Sequence, residues 1–561
     1  MMPTFIPCCN FDIVVVGAGL AGLRATITAA QQGQQVLLCT KATLCSGSSF
    51  YTQMDTLHCQ GVLSEEDKDV FLSDIENAGL GMNDPYMNRY YVEHINDRIR
   101  EFPQMGVDYQ ALPEPKLACF ATHPHALFSW TDWEKIRTNA RAILAGYPNV
   151  TVMEKVDAAS ILAREGAVSG VVLRHRNNGA FQTVGCSAII LATGGFGALY
   201  RHNLNSPDVS GDGHALALAA GAALINLEFN QFIPGYLKPV YKIVFREGTL
   251  DYCIGTEDKA GKDALKNRIP DDTARQDLLH RRSMHGPFSC REGTFDFDAA
   301  IMEGCLDPET EGVRIHYSPS LYQDKRSYVQ NYLKWLQEVY HIDLRTAETG
   351  IAPFFHAANG GIYVDHKCQT SVPGLFACGE AAGGIHGADR LGGNATGSCL
   401  VFGDLAANSA VEYVREHPAV APDVSDAYNA LGTLYRGSGN MTPREVIEKV
   451  QNIMWCKANI LREEATLKEA LDEIQKLKEQ YDPFLHFETP QGHLALQAAH
   501  SLTLAPALLI AMLERRESRG AHYRQDYPEI NQNDLYRLVL RQKEGQYIWH
   551  KELPPEREQR K

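Results

Sequence analysis

The stretch FDIVVV at residues 11–16 ends in four consecutive apolar residues, the pattern of a parallel strand buried on both faces. A helical pattern, LRATITAAQQG, follows and stops at Gly33, and a second apolar run, QVLLCT, comes next. Strand, helix, strand in so few residues predicts a parallel β-α-β unit. Further short apolar runs, SAII before Leu191 and LFACG at 375–379, predict two more buried strands. After residue 430 the period changes. PREVIEKVQNIMWCKANILREEATLKEALDEIQKLKEQY carries apolar residues three to four apart with mixed charges opposite, which predicts packed helices. No run reaches about 18 uninterrupted apolar residues, so no membrane span is expected. The fold class expected is α/β, a doubly wound domain followed by a helical bundle.

The turn between the first strand and its helix reads Gly17-Ala18-Gly19-Leu20-Ala21-Gly22. In that context G-x-G-x-x-G is a dinucleotide fingerprint. Gly17 permits the tight turn, Gly19 lets a pyrophosphate approach the backbone, and Gly22 allows close helix–strand packing. Leu20 and Ala21 begin the helix, whose N-terminus favours an anion. The acidic residue that often closes the second strand on a ribose is replaced by Thr40-Lys41. Thr40 remains able to bond a ribose hydroxyl. Three later stretches extend the site: Ala192-Thr193-Gly194, then Asp212 in SGDG, then PGLFACGEAAGGIHGADRLGGNATGSCLVFG. In the last, Glu380 follows a strand and is placed for ribityl hydroxyls. Asn394, Thr396 and Ser398 stand where a helix begins and where amides stabilise negative charge on a reduced isoalloxazine. Two glycine-rich segments so far apart in the chain imply a long cofactor, FAD rather than NAD.

Composition narrows the class. Lys and Arg number 53 against 68 Asp and Glu, a net charge of −15, which argues against binding a nucleic-acid backbone. Apolar residues at 44% and charged residues at 22% are ordinary for a globular chain, which removes disorder and fibrous classes. The fourteen cysteines include no C-x-x-C pair, so zinc, thioredoxin-like and clustered iron–sulfur readings lose their signature and no metal ligands are expected. The first ten residues, MMPTFIPCCN, lack a basic region followed by a long apolar stretch. Reduced, mostly buried thiols and a cytoplasmic location follow, with a membrane reached only through a partner.

With these motifs in order, the chain resembles the flavoprotein subunit of the fumarate reductase/succinate dehydrogenase family, nearest its L-aspartate oxidase branch. The matching stretches are Thr40-Lys41 with SGSSFYTQ, LATGG, SGDGHALA, INLEFNQF, FFHAANGGIYVD, HGADRLGGN and RRESRGAHYRQDYP. The resemblance implies a Rossmann-like FAD domain interrupted by an α+β capping domain, with a C-terminal helical bundle. The boundaries expected are 10–233 and 352–430 for the FAD domain, 234–351 for the cap and 431–561 for the helical part. Members with covalent flavin use a histidine near the SGSSFY position. Ser48, Ser49 and Phe50 stand there, implying non-covalent FAD. The resemblance further implies a small carboxylate substrate between flavin and cap, a hydride exchanged with flavin N5, and an iron–sulfur partner subunit in many relatives. Arg390 matches the family's carboxylate-binding arginine, and its guanidinium fork suits bidentate recognition. His356 matches the substrate-side histidine.

The cap half departs from the pattern. The family's NQFHPT reads Asn230-Gln231-Phe232-Ile233-Pro234-Gly235, so Ile233 replaces a substrate histidine. The usual Thr-Glu pair is not recognisable in VFREGTLDY. The family's R-D-x-x-x-R arginine aligns poorly with TARQDLLHRR, leaving Arg275 and Arg281 as candidates for proton transfer. The patch HRRSMHGPFSCREG reads equally as an anion site or as packing. The leading expectation is an FAD-dependent reductase or dehydrogenase with a rewritten substrate site. L-aspartate oxidase, adenylylsulfate-reductase-like chemistry and a non-catalytic FAD electron-transfer subunit are the alternatives. The tail KELPPEREQRK is expected to fray.

Overall fold

The computed structural model describes residues 5–555 apart from 52–56, 131, 308–309, 420–421, 423, 433, 435, 490 and 534. Thr52 and Gln53 of the SGSSFYTQ stretch, and residues 556–561 of the tail, therefore lie outside the described residues.

The four apolar runs, joined by Val150–Glu154, which the sequence pattern does not mark, form one five-stranded parallel sheet, in the order Leu375–Ala377, Ala188–Leu191, Ile13–Val16, Val36–Thr40, Val150–Glu154. Ile13, Val14 and Val15 have no exposed surface, as continuous apolar runs require when both faces are covered. The first strand lies at the switch point, with Val36–Thr40 on one side and Ala188–Leu191 on the other. In open parallel sheets such a point opens a crevice beyond the strand ends. Two helices frame that crevice: Leu20–Gln31 from the glycine motif and Asn394–Glu416 from the later glycine-rich loop. Asp404 pins them together, accepting Arg24 Nη2 at 2.6 Å, Thr28 Oγ1 at 2.7 Å and Arg98 Nη1 at 2.5 Å.

The long strands Asn230–Lys238 and Gly350–Ala358 pair antiparallel and carry the chain into and out of the cap. The expected cap limits, 234 and 351, fall inside these strands. Cap helices Asp272–Arg282, Phe295–Gly304 and Ser327–Tyr340 accompany the sheet these strands build. The patch HRRSMHGPFSCREG is mostly packing: Arg282, with no exposed surface, grips both oxygens of Asp298 at 2.8 and 3.0 Å. His285 is buried between Pro287 O and Thr294 Oγ1.

The C-terminal part contains the expected helices, Pro443–Lys457, Glu464–Glu479 and Gly492–Glu514. The last is long and apolar enough to cross a membrane, and 78% of that window is buried inside the fold. A hairpin follows that the helical expectation lacked: Arg537–Lys543 and Gln546–Glu552, turning at Glu544 and Gly545, both at positive φ. Its first strand pairs with Leu224–Ile225. Lys551 and Glu552 of the tail are thus ordered, and Glu552 accepts Tyr363 Oη at 2.6 Å.

Candidate functional site

Two clefts meet over the parallel sheet. The first, about 850 Å³ out to its open mouth, is lined by Gly17, Ala18, Gly19, Leu20, Ala21, Thr40, Lys41, Ala192, Thr193, Gly194 and Asp212, with Glu380 at its inner end. The glycines divide their labour by geometry. A Cβ on Gly17 would lie 2.3 Å from Ala192 O, and one on Gly22 would lie 1.8 Å from Gly17 O. Those two are needed by the protein itself. At Gly19 the nearest atom would be 3.7 Å away, so that missing side chain leaves room for a ligand. Gly22 does not line the cleft; it lets the helix close on the turn, as expected. Lys41 donates to Asp212 Oδ2 at 2.7 Å, and His500 approaches Oδ1 at 3.1 Å. These partners outweigh burial and hold Asp212 well below the usual carboxylate range.

Glu380 accepts the amides of Gly195 at 3.1 Å and Ala358 at 3.0 Å, while burial pushes its carboxyl up. It borders both clefts, as do Ser48, Ser49 and Cys399. The second cleft, about 1440 Å³ with its mouth, lies between the sheet domain and the cap. Thr396 and Ser398 line it from the first turn of Asn394–Glu416, two residues earlier than the expected start near Thr396. Asn394 lines neither cleft; its Oδ1 accepts from Tyr91 Oη at 3.3 Å.

Arg390 and His356 meet on the floor of this second cleft. Arg390 Nη2 donates to Gln231 Oε1 at 2.9 Å and lies 3.4 Å from His356 Nε2. Arg390 Nε, Gln231 Nε2 and Asn205 Oδ1 are buried without a protein partner. Burial, then Arg390, pushes His356 down to about 3, and His386 to about 3 for the same causes. Both imidazoles are therefore neutral beside a guanidinium. Ile233, 8% exposed, lines the cleft together with Leu204, Val244 and Phe245. The apolar replacement seen in the sequence thus stands at the site itself.

Arg275 and Arg281 do not line this cleft. Arg275 bonds Ile269 O and Pro270 O at its own helix start, and Arg281 reaches Asp277 at 2.9 Å and Gly293 O at 2.8 Å. Both proton-transfer candidates therefore stand outside the second cleft, held by local contacts. The cap wall of the cleft instead carries Arg246 and Glu247, from the stretch VFREGTLDY. Their signal is positional, since with Phe245 they follow the short strand Ile243–Val244 that pairs with Gly235 and Tyr236. Gln231 had a similar signal, lying two residues before Ile233 in one strand. Arg519 and His522 are buried in a network in which Arg519 holds Glu517 at 2.9 Å and Arg462 approaches His522 Nδ1 at 2.6 Å.

The sequence profile of a family described as an FAD binding domain matches residues 12–261 and 309–396, and that of the fumarate reductase flavoprotein C-terminus matches 447–553. The chain belongs to the fumarate reductase/succinate dehydrogenase flavoprotein family. It is 28% identical to one subunit of the CoM/CoB fumarate reductase of Methanothermobacter marburgensis, over 96% of this chain and 98% of that one. Identity to the L-aspartate oxidase of Streptomyces coelicolor is also 28%, over 94% of this chain and 91% of that protein. Equal identities do not choose between those two substrates. Among solved structures, Mycobacterium smegmatis Sdh1 in complex with UQ1 superposes with a TM-score of 0.83 at 27% identity, covering 99% of this chain and 96% of that one. The protein is an FAD-dependent oxidoreductase, and FAD is its cofactor. The first cleft fits it: Gly19 leaves space for a pyrophosphate, and Thr193 Oγ1 is buried without a partner. When bound, FAD supplies two-electron redox chemistry.

Proposed function

We propose that this oxidoreductase acts on a small molecule with one carboxylate and an apolar second end. The observation that carries this is the unpartnered buried donor Arg390 Nε in the cleft that Ile233 also lines, beside Gln231, whose Nε2 is likewise buried without a partner. Buried polar hydrogens without acceptors are costly, and an arriving carboxylate satisfies them. Arg390 binds and orients the carboxylate, and neutral His356 adds a hydrogen-bond partner at the same end. Ile233, Val244, Phe245 and Leu204 exclude water from the other end. A second carboxylate placed against Ile233 would lose its hydration without gaining a donor there. FAD is proposed to be held without a covalent link, with Ser48 and Ser49 lining the cleft, so acid precipitation releases flavin into the supernatant. An iron–sulfur protein is proposed for the other half-reaction, on family resemblance.

The test is reoxidation of the photoreduced protein, under anaerobic conditions by a panel of enoates, imino acids and sulfur oxyanions, and in a separate arm by added oxygen. A monocarboxylic enoate with an alkyl tail is expected to restore the oxidised flavin spectrum faster than fumarate. Turnover of succinate, fumarate or aspartate at ordinary enzyme rates, about 1–1000 per second, would sink the proposal.

A further inference from the structure

Residues 286–291 of the cap touch the loop that carries Arg390 and the segments packed beside it. Gly286 N–H donates to Cys119 Sγ at 3.3 Å, and Cys290 N–H donates to Gly520 O at 3.0 Å. Arg291 Nη1 donates to Asn77 O at 3.2 Å. Between these, Ser289 Oγ donates to Asp389 Oδ2 at 2.7 Å. Ser289 and Asp389 each have no exposed surface, and Asp389 Oδ1 has no partner. Asp389 immediately precedes Arg390, and among the described residues no cation lies within ion-pair distance of its carboxyl group.

The groups facing Asp389 are few. From the cap come Arg291, Glu292 and the Cys290 thiol, and Arg291 is itself engaged with Glu292 at 3.2 Å. From the C-terminal segment, Gly520 packs on the Asp389 carboxyl carbon. Its neighbours Arg519 and Glu517 satisfy one another at 2.9 Å, and His522 turns its carbonyl toward Cys290. Helix Lys68–Gly79 offers backbone, with Gly79 O accepting from Ala388 N–H. On its own loop, Arg390 points away to Gln231, and His386 is neutral beside it. One hydroxyl donor and a bare oxygen do not offset the burial of a full charge. The neutral acid has no such penalty.

We propose that Asp389 is a positioning residue whose uncharged carboxyl group clasps the cap at Ser289 against the Arg390 loop, and that loss of its proton releases the clasp. The proposal stands whether or not the substrate assignment above holds. Burial is the largest influence on this group and pushes it up to about 8, with the Ser289 hydrogen bond and Arg291 pulling weakly the other way. In the released state Asp389 meets water and recovers an ordinary value near 4. Release is then independent of pH below about 4, rises up to tenfold per pH unit between about 4 and 8, and levels off above.

Hydrogen exchange, followed by mass spectrometry on the full FAD-loaded chain, reads this at the amides of Gly286 and Cys290. Wild type and Asp389→Asn, which mimics the neutral acid, are compared at equal pH so that intrinsic exchange cancels. The ratio of wild-type to variant exchange is expected to climb at least tenfold from pH 5.5 to 8 and then flatten. Ser289→Ala is expected to exchange at least tenfold faster than wild type already at pH 5.5, and Ser289→Thr, which keeps the hydroxyl, to match wild type. A ratio constant with pH would overturn the clasp, as would Asp389→Asn exchanging like Ser289→Ala at pH 5.5. If Asp389→Asn does not fold, the two Ser289 variants decide: equal exchange in both refutes it.

Discussion

Arg390 spends one nitrogen on Gln231, Nη2 to Oε1 at 2.9 Å, and keeps Nε buried without an acceptor. A guanidinium held in this way is positioned in advance for a carboxylate. Arg390→Lys retains the charge and loses the fork, so binding of a small monocarboxylate should weaken about 10- to 100-fold. Titrating propionate against the flavin absorbance measures it. Arg281→Gln, on the exposed side of the cap, should shift the same constant less than about twofold, consistent with the small worth of exposed ion pairs. A large effect of Arg281 would restore it to the site.

The motif glycines should separate folding from cofactor binding. Gly17 has φ +111 and its added Cβ would meet the Ala192 carbonyl, while a Cβ at Gly22 would meet the Gly17 carbonyl. Either Gly→Ala change should destabilise even the flavin-free protein, Gly17→Ala by roughly 2–5 kcal/mol from backbone strain and overpacking together and Gly22→Ala by roughly 1–3 kcal/mol from overpacking alone. Gly19→Ala should leave the apoprotein's Tm unchanged and lower flavin affinity at least about tenfold, because its Cβ would occupy ligand space. Thermal melts of stripped protein and flavin fluorescence titrations distinguish the two classes. Equal melting losses at all three positions would contradict the division.

Four of the five strands of the parallel sheet were readable because each is a short, mostly apolar run, a local signal; Val150–Glu154, with Thr151 and Glu154 in it, lacks that signal. The hairpin Arg537–Lys543 and Gln546–Glu552 was not read, although Glu544-Gly545 is a turn pair. Its strands carry charged residues, and the first of them is tied into a sheet by Leu224–Ile225, far away in the chain. The glycine turn that lines the first cleft, Gly17 to Ala21, was legible because its spacing is fixed by one strand–turn–helix unit. The cap side was not. Arg275 and Arg281 sit in a sequence resembling a proton-transfer motif, and the fold holds both side chains in local contacts outside the cleft. Arg246 and Glu247 reach the cleft only because Ile243–Val244 pairs with the strand bearing Ile233.

Ile233 offers a direct route to altered specificity. Ile233→His would place a hydrogen-bond donor where the cleft now has a branched alkyl group. The affinity ratio of succinate to butyrate should rise at least about tenfold, the worth of one charge-assisted hydrogen bond. Competition titrations with the two acids give the ratio. No change would show that position 233 does not meet the second end of the ligand.

His356 makes anion binding depend on pH in a calculable direction. In the free protein, burial and Arg390 push its imidazole down to about 3, so it is neutral at pH 7. A bound carboxylate compensates the Arg390 charge and favours the imidazolium, raising that value toward the ordinary 6.5 or so. Binding then takes up a proton between the two values. Affinity should be flat above about pH 7 and strengthen as pH falls from about 6 to 4, by up to tenfold per unit. Trifluoroacetate, which stays ionised throughout, is the appropriate probe. Calorimetry in buffers of different ionisation enthalpy counts the proton directly. His356→Gln should abolish the slope. Because His386 is held down in the same way, His386→Gln is the matched control, and a slope that survives the first change and disappears with the second assigns the proton to His386 instead.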